Sequence, residues 1–252
     1  MSMQDMLAGA PALVTGARGG IGRALVGLLQ AQGHPVVAVG REASMLAELP
    51  AELKIAADVC TPEGAVQAVS QATAHFGRPP ALLAHCVGST LIAPLHRSSA
   101  AQYEAVMRVN LHSAFHTLAA WVAALREAGQ PGAAVLVSSV VARIGVANHE
   151  AIAAAKGGVE ALARSAAATY APQGLRINAV APGLTDTPMT AAMLKSDALR
   201  EGAGRQYPLG GVQSAEQVAQ TMAWLLGPAA SRITGQVIAV DGGFSQIRPL
   251  VK

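Results

Sequence analysis

The feature that most restricts the fold is the run Thr15-Gly16-Ala17-Arg18-Gly19-Gly20-Ile21-Gly22. It lies between a short apolar strand, Ala12-Leu13-Val14, and an apolar helical pattern through Leu25, Leu28 and Leu29. Strand, glycine-rich turn and helix form the context of a dinucleotide site. Gly16, Gly20 and Gly22 let the backbone approach a pyrophosphate, and the helix N-terminus adds free amides and the positive end of its dipole. Such turns also arise for steric reasons alone, so the run by itself does not assign a ligand.

The rest of the chain repeats the alternation. Apolar strands are expected at Val36–Val39, Leu53–Ala57, Ala81–Ala84, Ala133–Val137, Leu175–Val180 and Val237–Val240. Helical patterns stand between them: from Pro62 to about Phe76, from about Ala100 to Glu127, from a cap at Asn148 with Glu150 in the first turn, and from about Ala215 to Leu226. No linker or repeat interrupts this. The pattern predicts an α/β fold, a doubly wound parallel sheet that is Rossmann-like, with about seven strands and helices on both faces. Residues 1–252 are expected to form a single domain, with the mixed-polarity segment 188–210 as a substrate lid.

Composition sets bounds on function. Hydrophobic residues make up 52% and charged ones 13%, which allows a large core and argues against disorder. No free-standing apolar stretch of about 18 residues suggests a membrane span. Val14-Thr15-Gly16 comes so early that no signal peptide is expected. Cys60 and Cys86 imply no disulfide framework, so a cytoplasmic location is expected. A net charge of +3 without a basic run suits an anionic cofactor, not nucleic acid. His112 and His116 have a zinc-compatible spacing, but no third ligand is evident and no metal site is expected.

Cofactor choice is read at the end of the second strand. NAD sites place an acid about 20 residues beyond the glycines. Here Gly40-Arg41 stands instead, and Arg18 lies within the glycine turn. Two guanidinium groups can clamp a 2′-phosphate, which favours NADP (NADPH). Arg41 as a solvated loop residue is the competing reading, and Glu42 follows it directly.

The form Thr-Gly-x-x-x-Gly-Ile-Gly resembles the short-chain dehydrogenase/reductase family, and further signatures follow in order. They are Arg108-Val109-Asn110-Leu111, Ser138-Ser139, the helix start carrying Lys156, and Pro182-Gly183-Leu184-Thr185-Asp186-Thr187. Ile233-Thr234-Gly235-Gln236 and Asp241-Gly242-Gly243 close the set. The resemblance covers Val14 to Gly243. It implies a hydride-transferring oxidoreductase in which Ser139, Lys156 and Asn110 serve the reacting carbonyl and its proton relay. It also implies that Ile21 belongs to the pyrophosphate turn, that Asp58 and Val59 meet the adenine, and that Gly88 turns the backbone under the cofactor. Pro182, Gly183 and Thr187 would fix the carboxamide. Asp58 as the cap of the next helix is the alternative, and Thr61 can also supply that cap.

Two departures stand out. Where the family has Asn-Asn-Ala-Gly, this chain has His85-Cys86-Val87-Gly88. The family tyrosine lies four residues before the lysine and 13 after the serine. Both counts end on Ile152, so the register is intact and the usual proton donor is missing. Tyr170 lies about 21 Å beyond Lys156 along a helix. Tyr103 is expected to be remote, and Tyr207 belongs to the lid. His149, seven residues before Lys156, occupies the Tyr-x6-Lys position of the family's enoyl reductases. At a helix N-terminus it would act as a neutral N–H donor, or else simply face solvent. Three functions remain open: an NADPH-dependent carbonyl reductase with a non-tyrosine donor, an enoyl (C=C) reductase using His149, and a silent NADP(H)-binding partner or sensor. The slim Ala161–Ala168 face suits close pairing of two chains, and the resemblance implies a homo-oligomer, expected to be a tetramer.

Overall fold

The computed structural model describes residues 7–248. Within them, strands β1 (Ala12–Thr15), β2 (Val36–Gly40), β3 (Leu53–Ala56), β4 (Leu82–His85), β5 (Gly132–Val137), β6 (Leu175–Pro182) and β9 (Val237–Val240) form one parallel sheet in the order β3-β2-β1-β4-β5-β6-β9. Successive side chains alternate between the two faces. Val14, Ala38, Leu82 and Val135 point to one layer. Leu13, Val37, Leu83 and Leu136 point to the other. A strand buried on both faces must be apolar throughout, which is why these segments read as continuous hydrophobic runs.

Helices α1 (Gly20–Ala31) and α7 (Ala215–Leu226) cover the first face, with Leu25, Leu29, Val218 and Met222 inward. Helices α2 (Pro62–Phe76), α4 (Ser113–Glu127) and α5 (Glu150–Tyr170) cover the second. Local chemistry sets their ends. Thr61 accepts a hydrogen bond from the Gly64 amide and caps α2, Pro62 opens it, and Gly77 ends it at φ 66°. Ser214 and Gln217 form a reciprocal capping box on α7. No helix among the described residues is long and apolar enough to cross a membrane.

Three details differ from the sequence expectation, and one, the cap of α2, settles an alternative it left open. The long helix is not continuous: α3 (Ala100–Met107) passes through a π-turn, Arg108–His112, into α4. The cap of α5 is His149, not Asn148, and it makes no side-chain capping bond. Asn148 takes a left-handed φ of 64°, and its carbonyl accepts from the Ala93 amide. Asp58 does not cap α2, since Thr61 does; its Oδ1 accepts from the Cys60 amide instead. Finally, β7 (Thr185–Asp186) and β8 (Gln213–Ser214) pair in a small second sheet. The segment 188–210, expected as a lid, runs between those two strands and carries helix α6 (Asp197–Gly204).

Candidate active site

A cleft of about 900 Å³ opens across the carboxyl ends of the strands. Strand order reverses there between β1 and β4, the place where open α/β sheets bind ligands. All the residues expected to serve catalysis or to hold the cofactor line it: Ser139, Lys156, Asn110 and His149, and also Gly16, Arg18, Gly20, Ile21, Gly22, Arg41, Asp58, Val59, Gly88, Pro182, Gly183 and Thr187.

The glycine turn follows β1. Gly16 has a φ of 65°, and a Cβ there would come within 2.7 Å of the Cys86 carbonyl carbon. Only glycine lets this turn lie against the end of β4. The turn places the N-terminus of α1 on the cleft. Arg18 and Arg41 flank the same end, where Arg108 and Asp58 form a 3.5 Å ion pair. A dinucleotide pyrophosphate suits the glycine turn, and two guanidinium groups suit an added phosphate.

Lys156 is 5% exposed, one turn along α5 from Ile152. Its ammonium donates to the Val137 carbonyl at 2.7 Å. Burial pushes the ammonium pKa down to about 8. A Cβ on Gly88 would stand 3.5 Å from Lys156 Nζ and 3.2 Å from Asn110 Oδ1, so the glycine keeps the floor between them open. The Asn110 amide is fully engaged. It donates to the Val106 carbonyl at 2.9 Å and to Ser89 Oγ at 3.1 Å, and its oxygen accepts from the Ser89 amide. The π-turn produces this arrangement, because the added residue turns Asn110 toward the end of β4.

His149 and Ser139 face the cleft from the loop before α5. Ser139 Oγ accepts from the Val141 amide at 3.4 Å. His149 Nδ1 lies 2.7 Å from the Ala147 carbonyl, which can only accept. Nδ1 therefore carries a proton, and in the neutral ring Nε2 is an acceptor. That is the reverse of the neutral donor expected from the sequence. Ile152 is 4% exposed and packs in a small apolar cluster with Val106, Ala151 and Ala155. Of the three tyrosines, only Tyr207 lines the cleft. Its hydroxyl oxygen accepts from the Leu184 amide at 2.6 Å, and burial raises its pKa. Tyr103 is exposed on α3, and Tyr170 packs against the second core layer.

One residue with a structural part at the site went unassigned in the sequence. His85, 1% exposed at the end of β4, bridges Thr15 Oγ1 at 2.8 Å and Ser113 Oγ at 3.0 Å. Ser113 donates onward to the Val109 carbonyl at 2.6 Å. That direction makes Ser113 the acceptor of His85 Nε2–H and leaves Nδ1 to accept from Thr15. The ring is thus a fixed neutral tautomer, and burial pushes its pKa down to about 3, aided by the Lys156 charge. The signal available beforehand was a histidine ending an otherwise apolar strand. Cys86 beside it is held as a thiol, its pKa raised to about 12 by burial. The rings of His112, exposed, and His116, half-buried, lie 6.4 Å apart, and among the described residues no group of three metal-ligating side chains forms.

A family model described as enoyl-(acyl carrier protein) reductase matches residues 16–245. Cis-4-hydroxycyclohexanecarboxylate dehydrogenase of Sinomonas cyclohexanicum is 36% identical over 97% of this chain and 100% of its own length. L-xylulose reductase of Bos taurus is 34% identical over 96% of this chain and 99% of its own. The solved structure of a short-chain type dehydrogenase/reductase from Mycobacterium ulcerans superposes with a TM-score of 0.88. It is 30% identical and covers 98% of this chain and 92% of that one.

Proposed function

The chain belongs to the short-chain dehydrogenase/reductase family, and we propose on that premise that it is an NADP(H)-dependent oxidoreductase acting on a small carbonyl substrate with a proton donor other than tyrosine. The observation that carries this reading is the convergence of Lys156, Ser139 and the glycine turn on one cleft whose tyrosine position holds Ile152. The whole chain acts as one domain, and residues 188–210 serve as its lid.

When bound, the nicotinamide cofactor supplies or accepts the hydride. The glycine turn, with Ile21, and the start of α1 would hold its pyrophosphate. Arg18 and Arg41 would take the 2′-phosphate, Asp58 and Val59 the adenine, and Lys156 the ribose. The turn at Gly88 lies beneath, and Asn110 braces it. Pro182, Gly183 and Thr187 would hold the carboxamide, with Tyr207 pinning that loop through Leu184. Ser139 offers its hydroxyl hydrogen to the substrate oxygen, because its own oxygen is the acceptor for Val141. Lys156 adds a positive charge that stabilises negative charge building on that oxygen.

The proton itself has two sources among the cleft side chains. His149 donates from Nε2 only as imidazolium, since Nδ1–H is committed to Ala147. The Tyr207 hydroxyl accepts from Leu184, which leaves its hydrogen free. A water held by Ser139 is the third source. His149→Phe separates them: loss of turnover with NADPH affinity retained assigns the histidine, and unchanged turnover removes it.

Two other readings have support of their own. The matched family description favours reduction of an activated C=C bond. The close packing of Ile152 favours a cofactor-binding subunit without turnover. A panel of ketones and enoyl thioesters assayed with NADPH and NADH, alongside direct binding of both cofactors, decides among them. Ketone reduction is the expected result. Equal affinity for the two cofactors overturns the NADP assignment, and binding without any turnover favours the silent subunit. A homotetramer and a cytoplasmic location complete the reading; the small exposed side chains Ala161, Ser165 and Ala168 of α5 leave room for a second chain to approach, and a monomer by light scattering at micromolar concentration rejects the oligomer.

A further inference from the structure

We propose that the substrate end of the cleft selects neutral, apolar carbonyl compounds and rejects anionic ones. This rests on the reading of the cleft as a hydride-transfer site and names the substrate class for it.

Charge is divided unevenly along the cleft. Arg18, Arg41, Glu42, Asp58 and Arg108 all line the end bounded by β1, β2, β3 and the π-turn. Lys156 stands at the middle, with its ammonium tied to the Val137 carbonyl. Beyond it, the lining side chains from the loops after β4, β5 and β6 and from the end of α6 include no carboxylate, guanidinium or ammonium among the described residues. Charged groups do occur on those segments, but they lie outside the cleft lining. Asp186 binds Arg200 at 2.7 Å and Glu201 binds Arg205 at 2.6 Å, all outside the lining.

What faces the substrate is apolar. Val141, Val146 and Ile152 form the wall beside Ser139 and His149, and Ile92, Met189 and Met193 form the mouth. The mouth residues are left open: Ile92 is 46% exposed and Met189 53%. Methionine pairs flexibility with polarizability and suits an apolar ligand of loosely defined outline. Ser139, His149 and Tyr207 suffice for one carbonyl oxygen, and the other polar side chains at this end, Ser89, Thr90, Thr187, Thr190 and Gln206 among them, are uncharged. A carboxylate placed here would lose its water and meet no guanidinium. The Lys156 ammonium is already held by the Val137 carbonyl and would be shared with the cofactor ribose and the carbonyl oxygen, which leaves only a protonated His149 to pair with the carboxylate. The replacement of a phenol by Ile152 extends the same apolar surface to the floor.

The test uses one skeleton in two charge states: 4-oxocyclohexanecarboxylate and its methyl ester. Both kcat/KM with NADPH and Kd for the NADPH-loaded protein are measured. The ester should be favoured by about 100-fold or more in each, and Met193→Arg should narrow both ratios by about 10-fold, the scale of one added charge-assisted contact. An acid that binds or reacts as well as the ester overturns the proposal, as do ratios unmoved by Met193→Arg in a variant with unchanged melting temperature. Failure of the ester to bind at millimolar concentration overturns it too. A Kd ratio favouring the ester without turnover of either compound supports the selectivity and rejects hydride transfer to such ketones. Turnover favouring the acid does the opposite.

Discussion

The end of β4 and the first turn of α5 are the two places where the sequence reading expects a departure from the family pattern, and they are built in opposite ways. At β4, His85 stands for an asparagine and makes a new chain of hydrogen bonds, from Thr15 through the imidazole to Ser113 and the Val109 carbonyl. At α5, Ile152 stands where the resemblance implies a tyrosine and packs among apolar side chains. It joins Val106, Ala151 and Ala155, with Leu91 and Val141 against them. The difference follows from what each position touches. His85 joins three elements at the centre of the sheet, where an unpaired hydroxyl or imidazole would carry a desolvation penalty. Position 152 borders a cavity, so an apolar side chain of suitable volume satisfies the packing. Position 152 is thus filled by packing alone, whereas position 85 is held by hydrogen bonds.

The largest test of this contrast is Ile152→Tyr. A phenol one turn before Lys156 should raise turnover of a ketone by about 10²–10⁴-fold, the range of a positioned general acid. Steady-state kinetics with NADPH measure it. No gain in a variant that melts at the wild-type temperature would mean that position 152 no longer limits the reaction. A lowered melting temperature would instead expose overpacking of the small cluster.

His85→Ala should have the largest effect on stability, about 3–5 kcal/mol. It opens a cavity and strips both Thr15 and Ser113 of a buried partner. Chemical denaturation reads this directly. A loss below about 1 kcal/mol would break the contrast, because the β4 network would then be as dispensable as the tyrosine.

The pH dependence of stability gives a smaller effect with a defined sign. The unfolded chain takes up a proton at His85 near pH 6.5, but the native chain does so only near 3. The unfolded state therefore binds more protons between those values, and stability falls as pH drops below 6.5, by about 2 kcal/mol on reaching pH 5. Lys156 opens a second window: its pKa falls from 10.5 to about 8, so the cofactor-free protein gains stability as pH rises between them. Denaturant melts across pH 5–10 should show both slopes, and His85→Asn should remove the acidic one alone. An acidic slope that survives in His85→Asn assigns it to other groups.

The sequence determined the element order, the parallel sheet and the set of side chains on the cleft. These depend on short-range signals. Apolar runs set strands, Thr61, Pro62 and Gly77 bound α2, and the glycine turn can only lie between β1 and α1. Helix α7 and strand β9 begin and end where the pattern places them. Tertiary structure decided what the side chains do once assembled. The π-turn directs Asn110 to Ser89, 21 residues away, and the imidazole of His85 reaches Thr15 across 70 residues and Ser113 across 28. The Ala147 carbonyl sets the His149 tautomer, and the Leu184 amide anchors Tyr207 to a loop 23 residues upstream. Local conformational preference spans only a few residues, so it can place a strand end. Which donor meets which acceptor there is settled only when distant strands and helices pack and water is removed from between them.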